Sequence, residues 1–184
     1  MSKVGIFFGT GFEEIEALTV VDLLRRAGIE AVCISIDNAN EVVGSHQIAV
    51  RMDEGIAETD FAALDMIVCP GGMPGTRNLE ACSTLTEQIR KFYESGKLIG
   101  AICAAPSILG HMGLLKGKKA CIYPGMEAEL LGAEVVFDEV VKADNVITSR
   151  GMGTAIAFGL KIVEQFTDKE TAEALGKKVV YKLS

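Results

Sequence analysis

The stretch "LIGAICAAPS", Leu98 to Ser107, sets one cysteine where an apolar run gives way to small residues. A strand ending at Ile102 and a helix starting near Ala105 put Cys103 on the turn between them, where a nucleophile projects from its chain and needs small neighbours. Gly100, Ala101, Ala104 and Ala105 are all small. Pro106 suits a first helical turn, because its missing N–H costs nothing there, and the positive helix end then faces the sulfur. The expectation is a stabilised thiolate, the reactive form of cysteine. Cys33, Cys69, Cys82 and Cys121 read as packed core thiols.

Carboxylates form the second group. "GTGFEEIE" imitates the start of a dinucleotide-binding loop with Gly9 and Gly11, but the third glycine position falls at Glu14. Glu13, Glu14 and Glu16 then occupy the place of a pyrophosphate, which they would repel. Acids favour the first turn of a helix through its dipole, and that accounts for Glu13 and Glu14. Glu16 keeps two readings, as another such acid or as a carboxyl projecting into the crevice where open α/β sheets hold ligands. The glycine-rich "CPGGMPG", Cys69 to Gly75, is either a plain connection or a cradle of backbone N–H groups for a ligand oxygen. Arg150 in "TSRGMGTA" either pairs with a carboxylate or lines the same crevice. His111, eight residues past Cys103, falls ~12 Å away along one helix axis, too far to deprotonate the thiol. His46 has no fixed distance from it.

These groups need a frame. Short apolar runs alternate with segments of helical period, the pattern of a parallel sheet covered on both faces. Strands are expected at Val4–Phe8, Ala31–Ile36, Met66–Cys69, Leu98–Ile102, Ala120–Ile122, Glu134–Val136 and Val146–Thr148. The spacing predicts helices at Glu14–Ala27, from a Thr84/Glu87 capping box to Gly96, at Ala105–Met112, at Thr154–Phe166 and at Lys169–Lys177. Glu41–Val50 reads as a hairpin turning at Gly44-Ser45.

The 184 residues are 49% hydrophobic and 23% charged, which suits one domain over 1–184 with a sizeable core. A net charge of -7 without a long basic cluster argues against nucleic acid. Apolar runs too short to span a bilayer argue against a membrane, and the early Glu13 and Glu14 argue against a secretory leader, so a cytoplasmic protein is expected. Five cysteines without a CxxC pair suggest reduced thiols and no metal knuckle. No metal or cofactor is expected.

"GFEEIEA", "DLLRRAG", "CPGGMPGTRNL", "AICAAPS" and "ITSRGMGT" together resemble the DJ-one/ThiJ/PfpI superfamily, in particular its DJ-one-like branch, over nearly the whole chain and in the same order. The resemblance implies a flavodoxin-like three-layer sandwich, mostly parallel sheet with helices on both faces, and a homodimer. It matches Cys103 to the reactive cysteine on a nucleophile elbow, Glu16 to the protonated acid that hydrogen-bonds it, and Gly72 and Ala104 to backbone donors facing the sulfur. It further implies glyoxalase-like or deglycase-like action on a small electrophilic carbonyl such as a 2-oxoaldehyde, or a role as redox sensor or chaperone. Two features depart from the pattern. "CIYPG" sets Tyr123 where the branch carries a histidine before proline; a phenol with a pKa of about 10 is a poor base but can donate a hydrogen bond to an oxyanion. Ala104 replaces the histidine that follows the cysteine in the protease-like branch, so peptidase activity is not expected.

Overall fold

Strands covered on both sides need no polar alternation, and the continuous apolar runs of this chain form them. The computed structural model describes residues 2–182. In chain order the elements are β1 (Lys3–Phe8), α1 (Glu14–Arg26), β2 (Glu30–Ser35), β3 (Glu41–Val43), β4 (Ala49–Arg51), β5 (Glu54–Gly55), β6 (Met66–Cys69), α2 (Gly75–Ala81) and α3 (Ser83–Ser95). Then come β7 (Leu98–Ile102), α4 (Pro106–His111), β8 (Lys119–Ala120), β9 (Glu134–Val135), β10 (Val140–Ala143), β11 (Val146–Ser149), α5 (Ala155–Phe166) and α6 (Lys169–Lys178).

The main sheet has seven strands in the order β10-β11-β7-β6-β1-β2-β5. All its pairs are parallel except β10 with β11. Alternation along β1 divides the core: Ile6 and Phe8 pack with Val20 and Leu24 of α1 and with Phe158 and Ile162 of α5. Phe7 packs on the opposite side with Leu79 of α2, Leu85 and Ile89 of α3 and Ile108 of α4. The result is the expected three-layer α/β fold. From β1 the chain moves outward to β2, then crosses back to lay β6 on the other side of β1. That reversal is the topological switch point, where the loops after neighbouring strands diverge and leave a crevice.

Several expected elements change. Ala120–Ile122 and Glu134–Val136 shrink to β8 and β9, which pair with each other in a separate two-stranded sheet. The capping box at Thr84 is absent: α3 starts at Ser83 with Cys82 at its N-cap and no side-chain cap bond, because the preceding α2 delivers the chain one residue earlier. α2, β5 and β10 are not among the expected elements. The hairpin is present as β3 and β4, pairing Val42 with Val50. His111 ends α4 and bridges two carboxylates, Nδ1 at 2.6 Å from Glu80 and Nε2 at 2.8 Å from Glu129. These neighbours raise its pKa, so the bridge holds as a charged pair and ties α4 to its surroundings rather than to Cys103.

Candidate active site

Three connections at the carboxyl ends of β1, β6 and β7 meet beside the switch point: the first leads into α1 and Glu16, the second carries Gly71 and Gly72, and the third carries Cys103. Cys103 follows β7 with φ +63°, a left-handed conformation that costs a side-chain-bearing residue roughly 1–2 kcal/mol. The elbow is held from both sides. Its N–H donates to the Ser149 carbonyl at 3.0 Å, and its carbonyl accepts from the Tyr123 N–H at 2.9 Å. Pro106 opens α4 at its first turn, as expected.

Glu16 lies in the first turn of α1 and is 1% exposed. Its Oε2 accepts the Gly71 N–H at 2.9 Å, and its carboxyl hydrogen-bonds the Cys103 thiol. A Cβ at Gly71 would sit 2.6 Å from Cys103 Cβ and 2.7 Å from Glu16 Oε2, so only glycine lets the three meet. Gly72, at φ +89°, and Ala104 both turn backbone N–H groups toward the sulfur. Tyr123 is half exposed, and its ring borders the spot above Gly151 that also lies 4.0 Å from Glu16 Oε1. Arg150 is directed elsewhere, donating to the Phe137 carbonyl and stacking over that ring at 5.7 Å.

Electrostatics correct one expectation. Burial, then the charge and hydrogen bond of Glu16, push the Cys103 thiol up to about 12, against the pull of the Gly72 and Ala104 amides. Burial likewise lifts Glu16 to about 7, while the thiol and the Gly71 amide pull it down. The elbow amides alone do not make a free thiolate. Instead the two groups titrate as a pair that carries one proton and one negative charge over a broad range. The sulfur-facing amides favour the charge on sulfur, and Gly71 favours it on the carboxylate.

Gly71 was missed as a site residue, although the doubled glycine of "CPGGMPG" marked the loop. The sequence marks Glu14 only as a helix-start acid, yet its buried carboxylate accepts the His46 N–H at 2.7 Å across 32 residues. The sequence holds no signal for that contact.

A three-layer α/β protein with a cysteine elbow at the switch point of its sheet is the class that this fold and geometry define. The chain belongs to the DJ-1/PfpI family, whose model matches residues 2–165. It is 41% identical over 166 residues to Protein DJ-1 homolog A of Arabidopsis thaliana, covering 90% of this chain but 42% of that protein. The chain spans 38% of a second Arabidopsis relative, Protein DJ-1 homolog B. A Caenorhabditis elegans protein named glutathione-independent glyoxalase DJR-1.2 is 34% identical, with 90% of this chain and 88% of that protein aligned. Among solved structures, oxidized Toxoplasma gondii DJ-1 superposes with a TM-score of 0.95 at 34% identity, and Drosophila melanogaster DJ-1beta with 0.93 at 35%, each covering 100% of both chains.

Proposed function

We propose that this protein is a cysteine-dependent enzyme of glyoxalase or deglycase type, a single cytoplasmic domain that acts on 2-oxoaldehydes or their adducts in carbonyl stress. One observation carries the reading: the Cys103 thiol shares a hydrogen bond with a buried carboxyl lifted to about 7, near the pH at which a proton-transfer group works best. The Caenorhabditis relative's name points the same way.

With methylglyoxal, Cys103 sulfur attacks the aldehyde carbon while Glu16 takes the thiol proton, and the Gly72 and Ala104 N–H groups hold the oxyanion. Glu16 returns that proton to the oxyanion, giving a neutral hemithioacetal. Its carboxylate then removes the hydrogen on the former aldehyde carbon as a proton and delivers it to the neighbouring ketone carbon, while the hemithioacetal hydroxyl proton passes to the ketone oxygen, which also accepts a hydrogen bond from the Tyr123 phenol. The first carbon is oxidised and the second reduced, so no outside redox partner is needed. The product is a thioester, which water hydrolyses to lactate and free Cys103.

Glu16→Gln removes the proton carrier but keeps the shape. Lactate formation from methylglyoxal without glutathione should fall about 10²–10⁴-fold, the contribution of a positioned acid–base group, while Cys103 remains alkylatable. Lactate output within threefold of wild type would remove Glu16 from the mechanism. The competing reading is an oxidant sensor, for which a partly exposed sulfur beside a hydrogen-bonding acid is also suited. Two oxygens gained selectively at Cys103 under mild peroxide, with no lactate from wild type, would decide for it.

A homodimer is part of the proposal. Ile15 and Leu18 on α1, 51% and 37% exposed, and Ile48 beyond the hairpin turn, 53% exposed, present apolar side chains to solvent. α1 is bonded to the hairpin tip through Glu14 and His46, so these residues belong to joined elements. Leu18→Glu with Ile15→Glu should halve the mass seen by sedimentation velocity; an unchanged mass would move the interface elsewhere.

A further inference from the structure

We propose that His46, at the tip of the β3–β4 hairpin, is a positioning residue for the Cys103 site, acting on Glu16 through Glu13 and the Gly71 peptide. The inference rests on reading Cys103 and Glu16 as the working pair.

The path is a run of short contacts. The hairpin is fastened to the β1–α1 loop by Gly11 N–H to the Val43 carbonyl and Ser45 N–H to the Phe12 carbonyl, both 2.8 Å. The His46 ring sets Nδ1 3.0 Å from Glu14 Oε2 and 3.6 Å from Glu13 Oε2. Ser45 Oγ lies 3.3 Å from the same two oxygens. Glu13 in turn donates its N–H to the Gly71 carbonyl at 2.9 Å, and Gly71 donates its own N–H to Glu16 Oε2 at 2.9 Å. One peptide residue therefore has the hairpin's carboxylate partner on one side and the site carboxyl on the other.

Two carboxylates at the start of α1 need a positive charge between them, and the helix dipole supplies only part of it. One polar atom from each of Glu13, Glu14 and His46 lies within 4.8 Å of the other two, and the His46 ring, when protonated, is the cation among them. Its bond to Glu14, then the charges of Glu13 and Glu14, raise its pKa. Burial pushes Glu14 up, but its bonds from the His46 ring and from backbone N–H groups outweigh this and hold it at about 2. The titratable groups facing Glu16 are Cys103 from the β7 elbow, Glu13 from the loop before α1 and the Tyr123 ring; those facing His46 are Glu13 and Glu14. Glu13 raises Glu16 by its charge. A charged His46 offsets that field, so the Glu16–Cys103 pair gives up its first proton at lower pH; a neutral one leaves the field whole.

The test is the pH profile of Cys103 alkylation by iodoacetamide on the intact protein, read by peptide mass spectrometry from pH 5 to 10. His46→Gln keeps a hydrogen-bonding side chain without the charge, and His46→Arg keeps the charge at every pH. At pH 7 the arginine variant should react about threefold faster than the glutamine variant, the effect of one exposed, partly screened charge. Its midpoint should lie about half a pH unit lower. Wild type should follow the arginine variant in acid and approach the glutamine variant as the imidazole loses its proton. In a Glu13→Gln background both midpoints should lie lower, because the charge that raises Glu16 is gone. Coincident profiles for the two His46 variants, or equal slowing of both with no shift of midpoint, would overturn the proposal, the second result marking a purely structural hairpin. Because no carbonyl substrate is involved, a wild type that makes no lactate leaves this result intact.

Discussion

Cys103→Ala is expected to abolish lactate formation from methylglyoxal, a fall of at least about 10³-fold, since the covalent intermediate can no longer form. No other thiol can substitute. Cys33, Cys69 and Cys121 are buried, Cys82 lies on the α2–α3 connection, away from the switch-point loops, and the Glu16 carboxyl bonds Cys103 rather than any of these four. Serine should fail nearly as completely, because Glu16 at about 7 is far too weak a base for an alcohol. The fold should survive, since alanine keeps the backbone bonds to Ser149 and Tyr123. Lactate measured at equal protein, with thermal melts alongside, checks both halves; turnover above a tenth of wild type would end the covalent scheme.

Gly72→Ala should be the most damaging single methyl in the site. The new Cβ would meet Glu13 N at 2.4 Å and the Gly11 carbonyl oxygen at 2.7 Å, both backbone atoms, at φ +89°. Glu13 cannot retreat, because its N–H is bonded to Gly71 and α1 begins at the next residue. A left-handed alanine costs roughly 1–2 kcal/mol, and overpacking adds about 1–3. Together, at about 3 °C per kcal/mol for a chain of this size, they predict a melting temperature lower by about 6–15 °C. Turnover should fall as well, by up to about 10²–10³-fold, as one oxyanion donor is displaced. Gly28→Ala is the comparison: φ is +75°, but nothing lies within 4 Å of the added carbon, so only the conformational cost applies. Equal melting temperatures for the two variants would show that the loop yields freely.

Much of this was legible in the chain, for identifiable reasons. β1, β6 and β7 are buried on both faces, so their apolar runs stand out, and Cys103 is set off by the small residues around it. Pairing partners were not legible. The runs Ala120–Ile122 and Glu134–Val136 contain β-branched residues, but nothing local says that they leave the main sheet. α2 opens with "GTRN", in which glycine, threonine and asparagine are weak helix formers, and it is held by the burial of Leu79, a tertiary effect. The character of the sulfur was misjudged for a similar reason. The elbow amides are a local feature and visible; the buried acid that presses against the thiol arrives from 87 positions away in the chain (103 minus 16).

The rims of the main sheet bear on how copies of this molecule can join. One rim is β5, only two residues long; the other is β10, a four-residue antiparallel strand with Lys142 facing solvent. A newcomer seeking to extend the ladder finds too few free amides at the first and a short, charged border at the second. Growth strand by strand into filaments therefore meets an obstacle at both rims.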